Sequence, residues 1–141
     1  MITDEEIITE AESWLGTKWI HGQQLKGVGS DCVGFIISMA KQFDWVPKDY
    51  KSPVYNRDWA LHNENSILLN EAKKFGPEVH PPFKVGDFLI FTYGRCASHI
   101  GIYIGNDQMI HADSGNQEII KSYISHYKNR FHSAWRFRKD D

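Results

Sequence analysis

Apolar residues recur at helical spacing in the first half of the chain and alternate over short runs in the second. Ile7, Ile8, Ala11, Trp14 and Leu15 mark one face of a helix predicted over 4–15, opened by a Thr3/Glu6 capping box and stopped by Gly16. A polar, glycine-rich loop over 17–30 leads to Ser30-Asp31, either of which can cap a second helix whose inner face is Phe35, Ile36, Met39, Ala40 and Phe43. Residues 46–59 show no period and read as an irregular surface connection. A third helix is predicted over 66–75, with Ile67, Leu68, Leu69 and Ala72 in the pattern and Gly76-Pro77 as the stop. From Phe83 onward, strand-like runs separated by turn residues predict strands over 87–92, 98–104, 108–112, 118–124 and 133–138. Helices first and strands later specify an α+β domain, N-terminal helices packed on an antiparallel β-meander, with residues 1–141 as one unit.

Composition narrows the function. The chain has 141 residues, 41% hydrophobic and 13% aromatic, which is enough apolar material to bury a core. Sixteen basic against eighteen acidic side chains give a formal charge of −2, without the basic footprint of a nucleic-acid binder. The apolar runs are too short to span a membrane, and Thr3-Asp4-Glu5-Glu6 stands where a secretory signal carries basic and then apolar residues. Cytoplasmic synthesis is the expectation. Two cysteines, Cys32 and Cys96, are read as free thiols, with a Cys32–Cys96 disulfide that switches activity off as the alternative. Nothing in the residues sets an oligomeric state.

Cys32 falls in the first turn of the second helix, where unpaired N–H groups and the helix dipole favour a thiolate and supply donors for an oxyanion. In the hairpin around Gly105, His99, Gly101 and Tyr103 face one way and Ile100, Ile102 and Ile104 the other, toward the core. With an odd-numbered loop centred on Gly105, His99 and His111 are direct cross-strand partners, and one can orient the other. Gly101 leaves room beside His99 for another chain or a substrate. A thiol, an imidazole to take its proton and a third polar group are the parts of cysteine-nucleophile catalysis. The competing reading is a zinc site of Cys32, His99, His111 and Asp113, which has no C-x-x-C or H-E-x-x-H spacing behind it. His62, His80, His126 and His132 read as solvated loop residues. Trp45, Tyr50, Tyr55 and Trp59 either line a groove or cover the core.

Two groups of motifs resemble the NlpC/P60 peptidases. The first is Gly16-Thr17-Lys18-Trp19-Ile20-His21-Gly22 followed by Lys26-Gly27-Val28-Gly29-Ser30-Asp31-Cys32-Val33-Gly34-Phe35; the second is Val85-Gly86-Asp87-Phe88-Leu89-Ile90-Phe91, then Ser98 to Gly105 and Met109-Ile110-His111-Ala112. The resemblance implies a papain-like α+β fold and hydrolysis of peptidoglycan stem peptides at the D-glutamyl–diaminopimelate bond or its equivalent. It implies Cys32 as nucleophile, His99 as base and His111 as third residue, with no metal and no cofactor. Asp31 is implied to hold the free amine of the substrate, and Trp19, Val33, Ser98 and Gly101 complete the substrate-binding set. Val33 stands where the family often has serine, and Trp19 where tyrosine is usual. The loop with His21 and Lys26 to Gly29, and later Asp58-Trp59-Ala60-Leu61-His62, is most similar to the bacteriophage tail-associated branch. That branch implies phage tail proteins as possible partners and delivery to the wall by a virion or secretion apparatus. A non-catalytic tail or assembly module, and an acyltransferase or amidase on the same fold, are the remaining alternatives.

Overall fold

The computed structural model describes residues 1–53 and 66–139. Thr3 Oγ1 accepts the Glu6 N–H at 3.1 Å and opens α1 (Asp4–Glu12), whose Ile7 and Ala11 are fully buried. The helix ends three residues before the sequence suggested, so Trp14 still reaches the core while Leu15 is turned outward, 40% exposed. The glycine-rich loop is not wholly irregular: β1 (Gln24–Leu25) and β2 (Gly29–Ser30) pair within it. Asp31 is the cap of α2 (Cys32–Gln42), its Oδ1 accepting the Gly34 N–H at 2.8 Å. Phe35, Ile36, Met39 and Ala40 then bury the face that packs on the sheet.

The connection after α2 differs from expectation where it begins. Val46 is buried beside Trp45, whereas residues 47–53 are exposed or half-buried, as a surface connection requires; the later part of that connection, including Tyr55, Trp59 and the Asp58–His62 motif, lies outside the described residues. Ser66 caps α3 (Ile67–Ala72) by accepting the Leu69 N–H, and donates its hydroxyl hydrogen to Ala97 O at 2.7 Å, fastening the helix to the sheet.

The sheet is antiparallel and six-stranded: β3 (Glu78–Val79), β4 (Phe88–Tyr93), β5 (Cys96–Gly105), β6 (Gln108–Asp113), β7 (Glu118–Tyr123) and β8 (Phe131–Trp135) lie in the order β3-β8-β4-β5-β6-β7. A short 3-10 turn, Ile124–Tyr127, ends β7, and the chain then crosses back so that β8 joins β4. Asp87 holds that junction. Wholly buried, its carboxylate takes two 2.8 Å bonds from Arg136 Nε and Nη2 and a third from Lys84 N–H. The Arg136 N–H still donates to Pro77 O in the register of the β3–β8 pair, but Pro77 has no N–H to donate back, and the last strand stops at Trp135 without running to 138.

Both faces of the sheet are covered. Phe88, Ile90, Ile102 and Ile110 meet the helices, while Leu89, Phe91, Met109 and Ala134 form a second, smaller core on the opposite side. The β5–β6 hairpin turns on Asn106 and Asp107, both left-handed (φ 54° and 60°), with Tyr103 opposite Met109 and Ile102 opposite Ile110. The register therefore differs from the one expected for an odd-numbered loop. His111 falls across from Gly101, and His99 is its diagonal neighbour.

Candidate active site

Cys32 is the first residue of α2, and Gly34 lets that helix start where it does. A Cβ on Gly34 would lie 2.3 Å from Gln23 O and 3.1 Å from Asp31 Oδ1, so only glycine allows the loop backbone to lie against the capped turn. The cap also organises the loop: Asp31 Oδ2 accepts the Gly22 N–H at 2.8 Å and lies 3.9 Å from His21 Nδ1. Trp19 reaches the same place along the chain, bridging to Ser30.

The Cys32 sulfur is lodged against β5 on both sides of His99. Its S–H donates to Ser98 O at 3.8 Å, and the Ile100 N–H donates to the sulfur. The sequence led to an expectation of a lowered thiol pKa, and the structure reverses it. Burial pushes the Cys32 thiol up to about 12, the Asp31 carboxylate adds to the rise, and the N–H groups of Ile100, Val33 and Cys32 oppose it without prevailing. The helix terminus does supply N–H groups at the sulfur; removal of solvent outweighs them.

His99 Nε2 and His111 Nδ1 are 2.7 Å apart, although the two residues are only diagonal neighbours. Gly101 makes this possible, but not by leaving space for substrate. A Cβ there would lie 3.0 Å from Met109 Sδ and 3.1 Å from His111 Cβ, so the room is already taken by the neighbouring strand. His111 is completely buried, and its Nε2 meets Ser122 Oγ at 2.9 Å. Burial lowers His99 to about 3, helped by His111 and opposed by Asp113; burial lowers His111 to about 4, again opposed by Asp113. Both imidazoles are neutral at neutral pH. Two proton directions satisfy this chain, because the Ser122 hydroxyl both donates and accepts; the one that provides a base has His111 Nε2–H donating to Ser122 and His99 Nε2–H donating to His111 Nδ1. That leaves His99 Nδ1 unprotonated, and among the described residues it makes no hydrogen bond; nor does a hydrogen bond join the Cys32 sulfur to the His99 ring.

The other predicted residues separate. Val33 and Ile100, on either side of the sulfur, line one apolar hollow with Ile37 and Ile67. Ser98 serves through its carbonyl, because its hydroxyl donates to Tyr93 O at 3.1 Å. Asp113 is tied to Asn116 in its own turn and does not bond to His111. Cys96 is a buried strand residue, and both cysteines are free thiols. Among the described residues no three His, Cys, Asp or Glu side chains are gathered to hold a metal, so the four proposed zinc ligands do not form such a set. Trp45 belongs to the core, and Tyr50 packs on Phe75 while donating to Glu71 at 2.5 Å. His80, His126 and His132 are exposed, His132 on β8 and not in a loop; His62 lies outside the described residues.

Sequence reasoning missed three residues. Ser122 completes the histidine chain; Tyr93 and Tyr127 pack edge-on against His99 and His111, with ring centres 5.3 Å apart in each pair. The signal that finds Ser122 is the β6–β7 register, with Met109 opposite Ser122, which brings its hydroxyl to His111 and is not written in the spacing of either strand.

A family model for the NlpC/P60 family matches residues 16–136. The chain belongs to that family. It is 28% identical over 133 residues to the murein DD-endopeptidase MepS/murein LD-carboxypeptidase of Escherichia coli (strain K12), which covers 92% of this chain and 61% of that protein. It is 31% identical over 133 residues to the probable peptidoglycan endopeptidase LytE of Bacillus subtilis (strain 168), covering 94% of this chain and 34% of that protein. The chain thus spans less than two thirds of either relative. The crystal structure of the NlpC/p60 domain of the peptidoglycan hydrolase SagA superposes with a TM-score of 0.67 at 18% identity, covering 96% of this chain and 99% of that one. The fold is the papain-like α+β arrangement of NlpC/P60 domains.

Proposed function

We propose that the chain is a cysteine endopeptidase that hydrolyses peptidoglycan stem peptides, with Cys32 as nucleophile, His99 as base and His111 as the residue that orients it. The observation that carries this reading is the sulfur at the start of α2 held against the main chain on either side of His99, whose ring is fixed by the 2.7 Å contact to His111. The names of the relatives, a murein endopeptidase and a peptidoglycan endopeptidase, support the substrate class.

Cys32 Sγ attacks the carbonyl carbon of the scissile amide while its proton passes to His99 Nδ1. The oxyanion is met by N–H groups at the start of α2. As the C–N bond breaks, His99 returns the proton to the leaving amine, and a thioester remains on Cys32. Water then attacks the thioester carbonyl, giving one proton to His99; the C–S bond breaks, the acid product departs, and the sulfur recovers its proton. Asp31, which borders an open hollow with His21, Gln23 and Val33 next to the nucleophile, is proposed to anchor the free amine of the substrate through its negative charge.

The finer proposal is cleavage of the D-glutamyl–diaminopimelate bond by a single catalytic unit spanning 1–141. It carries with it delivery to the wall by a phage tail or a secretion apparatus, on the likeness of the His21 and Lys26–Gly29 loop to the tail-associated branch. Mass spectrometry of fragments released from purified peptidoglycan tests this reading. New amino termini on diaminopimelate are expected. Wall that is bound and never cut indicates a binding module instead, and products carrying an acceptor other than water indicate an acyltransferase.

A further inference from the structure

On the Tyr93 flank of His99 stands a cation with no acidic partner among the described residues. Arg130 lies with its guanidinium 4.4 Å from the centre of the Tyr93 ring, and that ring packs edge-on against His99 at 5.3 Å and 75°. The backbone fixes this arrangement: Thr92 N–H donates to Arg130 O at 2.7 Å, and Arg130 N–H donates to Tyr127 O at 2.9 Å. The guanidinium itself makes one long bond, Nη1 to Thr92 O at 3.5 Å, and no ion pair with an acidic side chain among the described residues. Arg130 lines an open hollow with Gly94, His126 and Asn129, and its guanidinium carries five donors, of which one makes that long bond.

We infer that Arg130, braced on Tyr93, forms a carboxylate-binding subsite that reads a negative charge on the residue released by cleavage. The inference rests on the peptidase reading of Cys32 and His99. His99 protonates the leaving amine, so the residue bearing that amine lies against His99, whose outer flank is Tyr93. A peptide advances about 3.5 Å per residue, which brings an acidic group on the released residue, or on the next one, to the guanidinium. Arginine suits the task because its planar fork matches a carboxylate while its face stays stacked on an aromatic ring. Asp113 opposes an anion here, since its charge reaches both Tyr93 and His99, but its carboxylate is turned into its own loop by Asn116. The substrate class is therefore an acidic peptide whose released residue carries a free carboxylate.

Two synthetic peptides identical except for a carboxylate or a carboxamide on the released residue test this. The kcat/KM ratio, acid over amide, is expected to be roughly fivefold for the native chain, a size set by one charge-assisted contact at an exposed arginine. In Arg130→Gln the ratio falls to about one; because both peptides are measured on one preparation, any loss of folded protein cancels. A second measurement needs no variant: raising salt from about 50 to 500 mM draws the native ratio toward one. A native ratio of one, or a preference that survives both Arg130→Gln and high salt, overturns the subsite and leaves the peptidase reading standing. If the native chain cleaves neither peptide, the peptidase reading falls and the subsite with it.

Discussion

At Cys32 two pulls act on one sulfur. Helix-terminal N–H groups favour the thiolate, while burial and the Asp31 carboxylate disfavour it more strongly, leaving a thiol pushed up to about 12 beside an imidazole lowered to about 3. The resting pair is neutral, so the proton moves during attack and is not already on His99. Alkylation by iodoacetamide reads this directly, because only the thiolate reacts. With the thiol pushed up to about 12, the rate at Cys32 should climb about tenfold per pH unit from 7 to 10, followed by mass spectrometry of the Cys32 peptide. A rate already level at pH 7 would mean a preformed thiolate–imidazolium pair. Residue identity was legible in the sequence: Cys32 at a helix start, His99 and His111 on one hairpin. Its titration was not, because desolvation depends on which strand packs over the sulfur.

Elements bring these residues together, and a few long-range contacts fix the elements. The bond pair from Arg136 to the wholly buried Asp87 joins the start of β4 to the chain leaving β8, and β4 carries Tyr93 and pairs with the strand of His99. Asp87→Ala removes the wholly buried carboxylate that clamps the Arg136 guanidinium with two bonds, and should cost about 3 kcal/mol, seen as a lower urea midpoint with an unchanged slope. A shift worth less than about 1 kcal/mol would mean that other contacts hold this edge. The helices and five main strands were legible from period and turn residues. Two-residue strands such as β3 were not, since they carry no period of their own. The β5–β6 register was misread for a related reason: Asn106 and Asp107 adopt the left-handed conformation that allows a two-residue turn, and Gly105 alone did not reveal it. Asp87 sat in a quoted motif, yet its partner lies 49 residues away and gives no local signal.

Across the whole molecule, the order of helices before strands, read from hydrophobic spacing, and the NlpC/P60 motifs together named the architecture that the structure has. Spacing alone did not reveal that both faces of the sheet are covered, which makes His111 a buried link and not a surface residue. The central claim is that the first half of the chain delivers a sulfur, and the second half a base, to one peptide bond. Cleavage of a defined muropeptide by the native chain, Cys32→Ala and Cys96→Ala, each confirmed folded by circular dichroism, tests it most directly. Loss of the nucleophile should lower kcat by at least about 10³-fold, as for other covalent catalysts, while Cys96→Ala, away from the reacting groups, still turns over. A Cys32→Ala chain that cuts the muropeptide at the native rate would contradict the account.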